Sequence, residues 1–405
     1  MPSRYPIALL TTYYRPVVGG VETHAENLAR YLARRGHAVT VITKRCALSD
    51  PPSEVIDGIE VRRTPPVGER RASGKWLALP GFLRELRRRR SSLRLICCVD
   101  YRGIGLAALV AGWLWGVPVV FETSTDGTIS GASVRRRLSR VGFAQDGAVA
   151  RLATWPIRAA YRRADLFICV SRTLERELLA CDVPAGRVLY LPHPVDCATF
   201  RPASEEERSA RRRDRGLPAE ATIAIFVGRL SREKGVAELL GAWAGLDVPG
   251  ARLVIVGPDM PGHPWDQGAA ARAFVAAHDL GDRVTFTGGL PQGEVAAWLQ
   301  AADLGVQPSH FEAFGLAAAE AMAVGLPVIA SDVGGFRDYI EPGVNGLRVP
   351  PRDVSALRKG LQHLLTADTD RRQMGQAALA TARCFDEAIV FARFAEALDR
   401  LAQPA

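Results

Sequence analysis

The chain has little that could tie it together covalently. Its seven cysteines, Cys46, Cys97, Cys98, Cys169, Cys181, Cys197 and Cys384, are odd in number and scattered over 405 residues. None has metal-ligand spacing, which excludes a cysteine-built zinc module. Cys97-Cys98 falls in a predicted buried strand, where small apolar packing is the expected role. There is also no unbroken membrane-length hydrophobic segment. Gly103 to Phe121 runs nineteen residues without a charge, close to the ~20 that a bilayer span needs. Gly116-Val117-Pro118 divides it, predicting a helix of about thirteen residues followed by a buried strand. The start, Met1-Pro2-Ser3-Arg4, leads directly into strand-like residues with polar Thr11, Thr12 and Tyr13, and no small-residue cleavage site follows. A cytoplasmic chain is therefore expected. Fixed-period repeats and low-complexity segments are absent as well.

Acidic residues are scarce in the first half. Residues 1–200 carry 30 Lys plus Arg against 17 Asp plus Glu, whereas residues 201–405 carry 22 against 26. The excess gathers at Arg84 to Arg94 and at Arg135-Arg136-Arg137 with Arg140. Trp76, Leu77, Leu79, Phe82, Leu83 and Leu86 nearby can form an apolar helix face, and basic residues beside such a face can bind an anionic membrane surface. A solvated Arg-rich helix has an equal claim. Nucleic acid is not an expected partner, because no recognised module or aromatic stacking pattern accompanies the arginines.

What is present is an alternation of apolar strands and amphipathic helices. At 405 residues and 48% hydrophobic content, the chain suits two domains rather than one core. Strands are predicted at Ile7–Thr12, Ala38–Thr43, Leu93–Val99, Pro118–Glu122, Ala164–Val170 and Val188–Leu191, with a helix over Val21–Arg35. A charged segment, Glu205–Arg215, precedes a second set near Ile223, Leu253, Val284, Leu304 and Val328. This order predicts an α/β fold with doubly wound parallel sheets in both halves.

Two segments carry chemistry. In Ser309–Pro342, Glu312 and Glu320 lie eight residues apart around a Phe314-Gly315-Leu316 helix start. The helix start offers unpaired amides and a positive dipole end to an anion such as a diphosphate, and the carboxylates suit sugar or ribose hydroxyls. Upstream, the strand Ala221–Val227 ends in Gly228-Arg229-Leu230-Ser231-Arg232-Glu233-Lys234-Gly235. Arg229 and Lys234 stand at a strand-to-helix turn, where open α/β sheets bind ligands, and Gly228 and Gly235 leave room for the approach.

With these segments, the chain resembles the retaining glycosyltransferases of the GT-B fold, family 4-like, nearly end to end. The resemblance implies two Rossmann-like domains facing a cleft: residues 1–195 binding the acceptor, 196–385 binding the donor, and a helix at 386–405 crossing back to the first domain. Val18-Gly19-Gly20-Val21-Glu22-Thr23-His24 looks like the family's glycine-rich loop, and Leu191–Asp196 like its linker. The implied reaction moves a hexose-type sugar from a nucleotide-diphosphate sugar to a hydroxyl of a glycan, lipid-linked or small-molecule acceptor. It proceeds with retention, without metal or other cofactor, in cell-envelope or exopolysaccharide synthesis at the inner face of the membrane. Arg229 and Lys234 would neutralise the leaving diphosphate, Glu312 would contact the sugar, and Glu320 the ribose. Gly19, Gly20, Gly228, Phe314, Gly315 and Leu316 would complete the donor site. Thr287-Gly288-Gly289 is a candidate for base recognition and Val333-Gly334-Gly335 for sugar choice.

One departure stands out. Many relatives carry a His after the strand that here continues Val119-Val120-Phe121-Glu122-Thr123-Ser124-Thr125-Asp126-Gly127, so Glu122, Thr123 or Asp126 is left as the acceptor-side candidate. His24 is expected to be structural or surface-exposed, and His310 to stand where it can touch the donor. A nucleotide-sugar epimerase of the same fold, or a non-catalytic nucleotide-sugar-binding scaffold, remains the alternative.

Overall fold

Why the apolar segments become parallel strands is clearest at Leu95-Ile96-Cys97-Cys98, whose four side chains are all fully buried. A strand buried on both faces needs helices above and below it. The computed structural model describes residues 4–17, 19–68, 76–124, 127, 129–131 and 148–402. Asp126, Arg135–Arg137 and Arg140 lie outside the described residues. The chain divides into two units, one running up to His193 and rejoined from Val390 on, the other Pro194–Ile389.

In the first unit the strands are β1 (Pro6–Leu10), β2 (Ala38–Lys44), β3 (Ser53–Ile56), β4 (Ile59–Thr64), β5 (Leu95–Cys98), β6 (Val119–Thr123), β7 (Leu166–Cys169) and β8 (Val188–Tyr190). They form one sheet in the order β3-β4-β2-β1-β5-β6-β7-β8. Its helices are α1 (Gly20–Arg34), α2 (Leu79–Arg89), α3 (Gly105–Trp115), α4 (Ala148–Tyr161) and α5 (Arg172–Leu179). Helix α1 buries Ala25, Leu28, Ala29 and Leu32, a stripe at helical spacing. The uncharged run divides where expected: α3 stops at Gly116, which takes the left-handed φ of 64°, and β6 follows. Among the described residues, no helix is long and apolar enough to cross a membrane.

Two features differ from the expectation. All pairings in this sheet are parallel except β3 with β4, an antiparallel hairpin that the strand reading omitted. Its turn is Asp57-Gly58, both at positive φ, the dipeptide such a two-residue turn favours. The apolar face proposed beside the arginines is also divided, with Leu79 and Leu83 half-buried. Phe82 and Leu86 are fully buried, while Trp76 and Leu77 stay exposed.

The second unit holds β9 (Ile223–Val227), β10 (Arg252–Val256), β11 (Val284–Gly288), β12 (Leu304–Gln307), β13 (Val328–Ser331) and β14 (Gly346–Val349). This all-parallel sheet runs β11-β10-β9-β12-β13-β14. Around it lie α6 (Glu205–Asp214), α7 (Val236–Ala244), α8 (Gly268–Ala277), α9 (Gln292–Ala301), α10 (Leu316–Ala323), α11 (Val354–Thr366) and α12 (Asp368–Ala382). Its core gathers Phe226, Leu239, Trp243, Leu253, Ile255 and Leu361. The charged segment at 205–215 becomes α6, opened by a Ser204/Glu207 capping box and fastened to the sheet by Arg212 on Asp303 at 2.7 Å. The final helix, α13 (Glu387–Ala402), places Val390, Phe391, Phe394, Ala395 and Leu398 in the first unit's core.

Both sheets reverse direction once. In the first, β1 lies between β2 and β5; in the second, β9 lies between β10 and β12. The carboxyl ends of strands at such a reversal are where open α/β sheets leave room for a ligand.

Candidate active site

Arg229 and Lys234 follow β9, and Glu312 follows β12, so the reversal of the second sheet brings them together. Lys234 donates from Nζ to Glu312 Oε2 at 2.6 Å, and Ser309 Oγ lies 3.3 Å from the same oxygen. Arg229 instead pairs with Glu233 at 2.8 Å. Two glycines make this geometry feasible. Gly235, at φ 72°, packs so closely on Pro308 that a Cβ would run into that residue's carbonyl. Gly315, at φ 92°, caps α10 where a Cβ would strike the Phe336 ring. At that cap, Ala318 and Ala319 donate their amides to Gly315 O. The amides just before them sit at the positive end of the helix. The Glu312 backbone is held from the other side by Gly335 N at 3.0 Å, which joins Val333-Gly334-Gly335 to the site. Thr287-Gly288-Gly289 lies at the carboxyl end of β11, where Gly288 O accepts from Gly257 N.

Glu320 sits half-buried on α10. Burial, and secondarily the negative charge of Asp196, pushes its carboxyl up to about 8. It is therefore largely protonated at neutral pH.

Several expected roles need correction. Phe314 needs none: its ring is buried on Tyr339 and Phe385, and the expectation concerned its backbone amide. His310 turns from Glu312 to Glu238 on α7, at 2.8 Å, and fastens the loop. In the first unit, Gly19 and Gly20 form the N-cap and first residue of α1. Glu122 is only 2% exposed, lies 2.8 Å from His24 Nε2, and has His193 Nδ1 3.6 Å from its other oxygen. Burial pushes the Glu122 carboxyl up, but the charge and hydrogen bond of His24 and the charge of His193 outweigh it and hold it low. Thr123 is buried too and donates its hydroxyl to Ile168 O. Neither residue is left free for an acceptor, and His24 is a buried partner rather than a surface residue. Sequence reasoning missed this cluster because its members come from α1, β6 and the segment after β8.

The chain matches the family model described as Glycosyltransferase Family 4 over residues 18–199, and the one described as Glycosyl transferases group 1 over residues 207–381. It is 30% identical to a D-inositol 3-phosphate glycosyltransferase of Xylanimonas cellulosilytica, an alignment covering 94% of each chain. The chain belongs to this glycosyltransferase family. Among solved structures, this glycosyltransferase resembles sucrose-phosphate synthase of Thermosynechococcus elongatus with a TM-score of 0.80 and 27% identity, over 98% and 99% of the two chains. It also resembles Anabaena HepE, solved with UDP-glucose, with a TM-score of 0.76 and 21% identity over 98% and 99%. Its fold is GT-B, with a Rossmann-like parallel sheet in each unit.

Proposed function

We propose that this glycosyltransferase is a retaining hexosyltransferase whose second unit holds a nucleotide-diphosphate sugar. The observation that carries the reading is the Lys234–Glu312 contact of 2.6 Å, set beside the α10 helix start where the second sheet reverses. In this reading a diphosphate draws Lys234 and Arg229 from their carboxylates, and the α10 amides complete the anion site. Glu312, released from the lysine, then orients the sugar. As the bond from the anomeric carbon to the diphosphate breaks, the negative charge that develops on the phosphate meets Arg229, Lys234 and the helix end without a metal. Front-face attack by the acceptor hydroxyl retains the configuration and needs no protein nucleophile, the hydroxyl proton passing to the departing phosphate oxygen on the same face. Glu320 would receive the ribose hydroxyls.

The acceptor, in this proposal, is a glycan, lipid-linked or small-molecule hydroxyl met by the first unit, in cell-envelope or exopolysaccharide synthesis at the inner face of the membrane. Two observations bear on it. The basic excess of residues 1–200 favours an anionic acceptor or surface, and the inositol 3-phosphate of the Xylanimonas relative's name is an acceptor of that charge. Arg84, Arg87, Arg88 and Arg90 are exposed, and α2, which carries most of them, packs beside α3. There Val110, Trp113 (75% exposed) and Leu114 face outward. Such an edge suits peripheral contact with an anionic bilayer. No observation favours the epimerase or the scaffold.

The test is thermal-shift binding of UDP, GDP, ADP and their sugar conjugates to wild type and Lys234→Ala. Selective stabilisation by one nucleotide, lost in the variant, is expected. No stabilisation by any of them would remove the donor-site reading.

A further inference from the structure

The cluster of His24, Glu122 and His193 has a chemistry that the transfer reaction does not use. Each residue offers one ligand atom, and the three atoms lie within 4.8 Å of one another. His24 Nε2 to Glu122 Oε2 is 2.8 Å and His193 Nδ1 to Glu122 Oε1 is 3.6 Å. The atoms of a tetrahedral zinc site stand ~3.3 Å apart, given metal-to-ligand lengths near 2.0–2.2 Å. Rotamer adjustments of less than about 1 Å would reach that triangle. Two imidazoles and one carboxylate form a borderline donor set suited to a zinc-like divalent cation.

The electrostatics point the same way. Glu122 is buried, and a buried anion requires a compensating positive charge. Among the described residues, its recorded polar partners are the two rings alone. A divalent cation held between the two rings and the carboxylate would supply that charge.

We propose that His24, Glu122 and His193 form a binding site for a zinc-type divalent cation, which ties α1 and β6 to the chain leaving β8. Three lone pairs enter the metal's coordination shell, and each ring keeps one proton on the nitrogen turned away from the ion, so a proton held at His24 Nε2 moves to Nδ1. His193 ends the first stretch of the first unit, before the chain enters the second at Pro194, so the ion would fasten that point of the chain to the first sheet. With its side chain 15% exposed, His193 also gives the ion a route in and leaves a fourth position for water.

The experiment uses the full chain, reduced and stripped with EDTA, titrated with Zn2+ by calorimetry and with Co2+ by visible absorption. One equivalent of Zn2+ is expected, with a rise in Tm. The Co2+ form should show four-coordinate ligand-field bands without thiolate charge-transfer absorption, which separates this site from the seven cysteines. His193→Ala and Glu122→Gln should each abolish the bands and the Tm shift. Should either variant fail to fold, the wild-type Co2+ spectrum decides. No stoichiometric binding, a thiolate signature, or bands unchanged in a folded His193→Ala would each overturn the proposal.

Discussion

Glu122 in the first unit and Glu320 in the second are both withdrawn from solvent, yet their ionisation is pushed in opposite directions. Glu122, the more deeply buried, is held low by two imidazoles; Glu320, on an Ala-rich helix with Asp196 as its charged neighbour, is pushed up to about 8. Depth alone would raise both. The partner determines the sign, and the partner is also what separates a carboxylate built into the fold from one kept for a ligand. Glu312 is paired too, but with Lys234, a cation that an anionic donor can draw away.

The sharpest way to break this contrast is to remove a charge on each side of it. Glu122→Leu should destabilise the first unit by about 3–5 kcal/mol, the usual result of removing one partner from a buried pair. Urea unfolding followed by Cys97 and Cys98 labelling would report it, since both thiols are buried in that unit; an unchanged midpoint would make Glu122 dispensable to the fold. Glu312→Gln and Lys234→Ala should leave unfolding nearly unchanged and cut kcat by at least ~10²-fold. Near-native turnover in either would remove the proposed site.

A smaller effect sharpens the comparison through pH. Because the folded state holds the Glu320 proton more tightly than the unfolded chain does, its contribution to stability is full below the ordinary carboxyl value of 4.5. It is lost as pH rises through about 8. Wild type should therefore lose Tm relative to Glu320→Gln across that interval, and parallel Tm curves would show that the carboxyl is not perturbed. Donor affinity should rise over the same interval in wild type, as the carboxylate forms and accepts from ribose hydroxyls, and stay flat in Glu320→Gln. The smallest effect expected is at α2. Reversing Arg87, Arg88 and Arg90 should weaken binding to anionic vesicles by about 1 kcal/mol per charge, with donor hydrolysis intact. Unchanged vesicle binding in a sedimentation assay would return the cluster to a solvated face.

The residues of the second unit were legible because each motif is local. Gly228-Arg229 follows the strand that positions it, and Glu312 lies four residues before α10. The strand-then-helix pattern alone therefore places both at the carboxyl edge of a parallel sheet. The Asp57-Gly58 turn is equally local, and it makes β3 and β4 the antiparallel exception to the parallel pairing expected. The burial of Phe82 and Leu86 is not legible in the same way, because helical spacing shows that an apolar stripe exists without showing which neighbour covers it.

The sequence by itself determined the α/β alternation, the break of the uncharged run at Gly116, and the cations and acids at two strand ends. These follow from backbone preferences and apolar periodicity, which act over a few residues. Only the tertiary structure decided that Lys234 meets Glu312 while Arg229 turns to Glu233, and that His310 faces Glu238. It alone enclosed Glu122 between His24, 98 residues away in the chain, and His193. Those contacts depend on strand order, and strand order is settled by which buried faces pack together rather than by any local signal.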